Sequence, residues 1–123
     1  MTPKDKNYIM PAEWEQHKCC WMQWPHDNPE FNSYAEVPTW SHFDIEKGRI
    51  AWANVANAIS NFEQVKMIVH PNNIVNSSKL LNEKVEILSF VNDDAWARDS
   101  GAIFLLNKEK KLGGVDWEFN GWG

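Results

Sequence analysis

Gln64-Val-Lys-Met-Ile-Val-His70 puts Val65, Met67 and Val69 on one side and closes at Pro71-Asn-Asn73. Successive side chains of a strand point to opposite faces, so this period of two predicts a strand with one face covered. Upstream, Ile45, Trp52, Val55, Ile59 and Phe62 recur at helical spacing, which predicts a helix over about residues 45–62 with those five side chains as its apolar face. Asp44 is placed to cap its start, and Gly48 weakens the early turns. A helix running directly into a half-buried strand is the repeating unit of an α/β chain.

Working outward, Lys18 to Trp24 reads as a first strand ended by Pro25, entered through a turn at Pro11-Ala-Glu-Trp14 and preceded by a polar arm. Residues 26–41 mix Pro, Asn, Asp and aromatics without a period and read as a covering loop. Downstream come a short helix over residues 72–83 and an apolar strand from Val85 to Val91. A hairpin of Ile103–Leu106 and Leu112–Phe119 follows, joined by Asn107-Lys-Glu-Lys-Lys111. The predicted order is β, α, β, α, β, loop, β, β. The 123 residues suit one compact domain, and the stop at Asn120-Gly-Trp-Gly123, directly after a strand, predicts that the domain is truncated.

A net charge of −5 argues against a nucleic-acid partner, which needs a basic surface to neutralise phosphates. No apolar run is long enough to cross a bilayer and no apolar segment follows the first residues, so the expected location is the cytoplasm, without membrane contact. The two cysteines, Cys19 and Cys20, are adjacent and form no disulfide framework. On a strand they would face opposite ways, one buried and the other exposed. His17 and Cys19 do not make up a four-ligand zinc spacing, so no metal is expected. Eight tryptophans in a small acidic chain suit either a core or an aromatic-walled pocket for a cation.

The segment richest in chemistry is Asn92-Asp-Asp-Ala-Trp-Ala-Arg-Asp-Ser-Gly101. It follows an apolar strand, where α/β proteins place their ligand-binding loops. Its carboxylates are acceptors only, and a guanidinium is a planar fork of donors, so the two match as a bidentate pair beside which a tryptophan face supplies cation–π attraction. The alternative is local: Asp93 and Asp94 end a strand, and Asp99 pairs with Arg98 or makes a turn hydrogen bond. The pattern alone leaves both readings open.

Met10-Pro-Ala-Glu-Trp-Glu15, Trp21-Met-Gln-Trp-Pro-His26, Asn92 to Gly101 and Val115-Asp-Trp-Glu-Phe-Asn-Gly-Trp-Gly123 resemble the N-terminal motifs of the agmatine deiminases and bacterial (Porphyromonas-type) peptidylarginine deiminases, in the right order and across nearly the whole chain. The resemblance implies the N-terminal blades of a pentein, a five-bladed α/β propeller. It also implies hydrolysis of a guanidino group to a ureido group with loss of ammonia, without metal or organic cofactor. Trp96 and Asp99 fall on the family's Trp-x-Arg-Asp segment, where the tryptophan lines the substrate and the aspartate holds the guanidinium. Trp122 and Asn120 fall on a second pocket motif, and Asp94 is a further candidate with strand capping as its alternative. Arg98 reads as structural, orienting carboxylates from behind, and His26 as a packing residue or part of the pocket mouth. Ala102 stands where the family usually has proline. The family's nucleophilic cysteine and catalytic histidine have no counterpart within these residues, so no catalytic residue is expected in this chain.

Within the family, Phe119-Asn-Gly-Trp-Gly123 offers no basic residue for a main-chain carboxylate, which favours agmatine over peptidyl-arginine as substrate and N-carbamoylputrescine, an entry to putrescine, as product. Related enzymes suggest a homo-oligomer for the full-length form. The competing readings are a peptidylarginine deiminase, a non-catalytic cation-binding module, and an inactive fragment with uncovered apolar faces.

Overall fold

The computed structural model describes residues 2–26, 45–92 and 94–118. They fall into two compact units, His17–Ala97 and Met1–Gln16 with Arg98–Gly123.

In the first unit, β1 (Cys20–Gln23), β2 (Val65–Val69) and β3 (Val85–Ser89) form a parallel sheet in the order β1-β2-β3. Parallel neighbours require a crossover, and the chain supplies α1 (Ile45–Ile59) between β1 and β2. Between β2 and β3 it supplies a 3-10 turn (Pro71–Asn73) running into α2 (Ile74–Leu80). Pairing aligns Cys20 with Val65 and Val85, and Met22 with Met67 and Ile87. These rungs and Trp24 form the core with Ala53 and Ala56 of α1 and with Leu81. Val65, Met67 and Val69 are fully buried, as the period of two predicts. Each such side chain contributes about 1.5–3 kcal/mol. The intervening positions form the other face, where Lys66 pairs with Glu86 at 3.0 Å and lies 5.7 Å from the Trp21 ring centroid.

The apolar face expected of α1 is corrected. Arg49, Ala53 and Ala56 are the buried positions of the helix, whereas Val55 is half exposed and Phe62, beyond the helix end, is 91% exposed. Trp52 and Ile59 pack at the margin of the core. Alanine carries too little apolar surface to stand out in a periodicity, yet its small side chain lets a helix approach a sheet closely. Arg49 is buried because its Nε donates to the Pro25 carbonyl at 3.2 Å and its guanidinium pairs with Glu46. The expected cap Asp44 and most of the covering loop lie outside the described residues.

Asn57 ties α1 to the end of α2: its Nδ2 donates to the Leu80 carbonyl at 2.9 Å and its Oδ1 accepts the Asn82 N–H at 2.9 Å. The Leu80 carbonyl is one of those that a helix C-terminus leaves without an intrahelical partner, and the Asn82 N–H lies just beyond that end.

In the second unit, β4 (Ile103–Leu106) and β5 (Leu112–Val115) form the predicted antiparallel hairpin. Lys110 takes a left-handed conformation at φ 58°, and Asn107 Oδ1 accepts the Lys111 N–H at 2.8 Å. The polar arm is no loose tail: Ile9 and Leu106 exchange two main-chain hydrogen bonds of 2.9 Å each. Tyr8 lies so close over Gly113 that a Cβ there would come within 2.9 Å of its ring.

Candidate active site

The loop after β3 is ordered by its own polar side chains. Asn92 Nδ2 donates to the carbonyl of Trp24, just past β1, and to that of Asp94, both at 3.1 Å. The opposite amide orientation would set its oxygen against two carbonyls, so the donor assignment is fixed. Asn92 Oδ1 is buried without a hydrogen-bond partner among the described residues. Trp24 is itself anchored, with Nε1 donating to Asn76 Oδ1 at 3.1 Å and its N–H to Ile68 O at 2.8 Å.

Asp94 Oδ1 accepts the N–H of Ala95 at 2.6 Å and of Trp96 at 3.3 Å, a local turn stabilised by its own carboxylate. Ala95 is thereby buried and Trp96 directed outward with 48% of its surface exposed. The Trp96 indole meets Trp52 of α1 edge to face, with centroids 5.6 Å apart and planes at 74°. Beside the pair lies a largely apolar cavity of about 290 Å³ lined by Trp21, Met22, Gln23, Trp52, Val55, Ala95 and Ala97.

Of the predicted site residues, Asp94 and Trp96 stand on this loop. Asp99 is exposed on a four-residue helical turn, α3 (Ala97–Ser100). Trp122 and Asn120 lie outside the described residues, as does Asp93. Arg98 pairs with a carboxylate, but that of Glu13, at 3.7 Å and with both side chains more than four-fifths exposed. Such a pair contributes little to stability. His26 stacks on His70 with centroids 3.9 Å apart and meets Asn73 Oδ1 through Nδ1 at 2.6 Å, a packing and hydrogen-bonding position.

Neither cysteine follows the expectation of one buried and one exposed thiol, since both are half-buried. Burial, then the charge of Glu63 and then Cys19, push the Cys20 thiol above its ordinary value of 9.0, the reverse of what a nucleophile needs. Among the described residues no three His, Cys, Asp or Glu side chains are grouped to hold a metal, and no helix is long and apolar enough to cross a membrane.

Sequence reading missed Asn92 as the link to β1 and the contact of Trp52 with Trp96. Trp52 carried a signal, its helical spacing, but that marked it only as apolar.

The chain is 42% identical over 123 residues to a candidate agmatine deiminase of Legionella pneumophila (strain Paris), covering 99% of the chain and 33% of that protein. It is 38% identical over 122 residues to another of Mycoplasma capricolum, covering 99% and 31%. A solved agmatine deiminase of Enterococcus faecalis superposes with a TM-score of 0.81 at 33% identity, covering 99% of this chain and 31% of that one. The chain thus spans about a third of the length of these relatives. The family model of the Porphyromonas-type peptidyl-arginine deiminases matches residues 9–123. With nearly its whole length matched, the chain belongs to the Porphyromonas-type peptidyl-arginine deiminase family.

Proposed function

We propose that the protein carrying this chain is an agmatine deiminase, hydrolysing the guanidino group of agmatine to the ureido group of N-carbamoylputrescine with release of ammonia. The observation that carries the reading is the Asp94–Trp96 turn, which holds Trp96 outward after β3 in a chain whose relatives are named for that activity. In this reading residues 1–123 are one partial domain, the N-terminal blades of a five-bladed propeller, and supply part of the substrate pocket. Trp96 offers an indole face to the cationic guanidinium and Asp99 accepts its N–H groups. By the resemblance of their motif, Trp122 and Asn120 would contribute to the same substrate pocket. Asp94 serves the same site by ordering the main chain beneath Trp96.

The nucleophile comes from outside these residues, in keeping with the raised thiol of Cys20. The enzyme would act in the cytoplasm as a homo-oligomer, feeding putrescine synthesis. Agmatine is favoured over peptidyl-arginine because residues 119–123 contain no cation to hold a main-chain carboxylate.

The test is ammonia release by the full-length protein from agmatine and from a peptidyl-arginine substrate. Faster turnover of agmatine supports the proposal. Preference for peptidyl-arginine reassigns the substrate, and binding of agmatine without ammonia release leaves a cation-binding module.

A further inference from the structure

We infer that Trp52 is a positioning residue for the indole of Trp96, an inference that rests on the reading of Trp96 as a wall of the guanidinium site. Trp96 stands on a loop and is 48% exposed, and a loop side chain so placed has rotamer freedom that a ligand must remove on binding. Two contacts reduce that freedom beforehand. The Asp94 carboxylate fixes the main chain at Trp96 by accepting its N–H at 3.3 Å. Trp52 then fixes the ring, 5.6 Å away at 74°, in the edge-to-face arrangement that aromatic quadrupoles favour.

Trp52 is suited to this because it is itself held. It stands in the middle of α1, next to the buried Ala53, and packs against the core that Trp24 and Met67 share. A side chain on a packed helix therefore sets the direction of a side chain on a loop, the means by which a rigid scaffold preorganises a site. Trp52 is only partly buried, at the margin of the core and beside the buried face of α1 that runs through Arg49, Ala53 and Ala56, which leaves part of its ring for this contact.

Trp52 acts through Trp96 and not on the reacting atoms, so its loss should weaken ground-state and transition-state binding alike, raising KM and sparing kcat. The experiment is agmatine kinetics on the full-length protein. Trp52→Leu, which keeps apolar volume but no ring, is expected to raise KM roughly two- to tenfold, the range spanned by aromatic pair energies. Its kcat should stay within about twofold. Trp52→Phe, which keeps a ring to meet Trp96, should recover most of the affinity. Two indoles at this separation couple optically, so circular dichroism of the unsubstituted protein should show, already without agmatine, a tryptophan couplet that Trp96→Leu removes.

An unchanged KM in Trp52→Leu, with a raised KM in Trp96→Leu, overturns the inference and leaves Trp96 in the site. An unchanged KM in Trp96→Leu removes the substrate-wall reading itself, and the role of Trp52 with it. If Trp52→Leu does not fold, the dichroism decides, and a couplet that is absent until agmatine binds overturns the inference.

Discussion

Asn92 and Trp24 are 68 positions apart in the chain, yet the Asn92 amide donates to the Trp24 carbonyl at 3.1 Å and through the same nitrogen to Asp94. One side chain thus joins the end of β1 to the loop that follows β3. Removing it leaves two carbonyls without that donor, which costs about 1–3 kcal/mol for a buried group. We expect Asn92→Ala to lower the urea midpoint accordingly. Asn92→Asp should be worse, because an acceptor-only carboxylate would face two carbonyl oxygens. Equal stability of the two variants would contradict the assigned amide orientation.

Asp99 is expected to act through charge-assisted hydrogen bonds to the substrate. Hydrogen bonds to charged groups contribute about 1.5–3 kcal/mol, so Asp99→Asn in the full-length protein should lower kcat/KM for agmatine by roughly 10- to 150-fold. The melting temperature should hardly move, because Asp99 is exposed on the short turn α3. A large loss of stability with unchanged kcat/KM would make Asp99 a structural residue.

Asn57 bridges the end of α2 through both ends of its amide, to Leu80 and Asn82. Asn57→Ala should therefore destabilise by about 1–3 kcal/mol. Amide exchange should quicken first at Asn82, whose N–H loses its acceptor, while the β2 amides beneath the fully buried Val65, Met67 and Val69 stay protected.

The Cys20 thiol carries a pH dependence whose sign follows from its raised value. The folded state holds the thiol proton more tightly than the unfolded state, so the stability linked to it is complete below the ordinary value of 9.0. That stability is lost as pH rises through the folded value. Urea midpoints should therefore be insensitive to Cys20 below pH 9.0 and fall as pH rises above it, less steeply in Cys20→Ser. Alkylation of Cys20 should also lag behind that of an unfolded thiol at the same pH. Prompt alkylation near neutrality would show that burial does not protect it.

The candidate motif could be picked out of the sequence because it is contiguous. Asp94, Trp96 and Asp99 lie within six residues, and the carboxylate and aromatic types alone suggested a cationic partner. The contacts that hold the loop were not legible, since Asn92 reaches Trp24 and Trp96 reaches Trp52 only after the sheet has formed. Nor was the pairing of Ile9 with Leu106, because the arm shows no alternation of its own.

By itself the sequence determined the order of strands and helices, the covered face of β2 and the family. Each is written in residues that are neighbours along the chain or in motifs of a few positions, and backbone geometry turns such local patterns directly into period and turn. Only the tertiary structure decided which face of α1 is buried, where Arg49 finds its partners, and which ring Trp96 meets. Those outcomes depend on how closely small side chains let elements approach, and on which distant groups must satisfy one another once water is excluded.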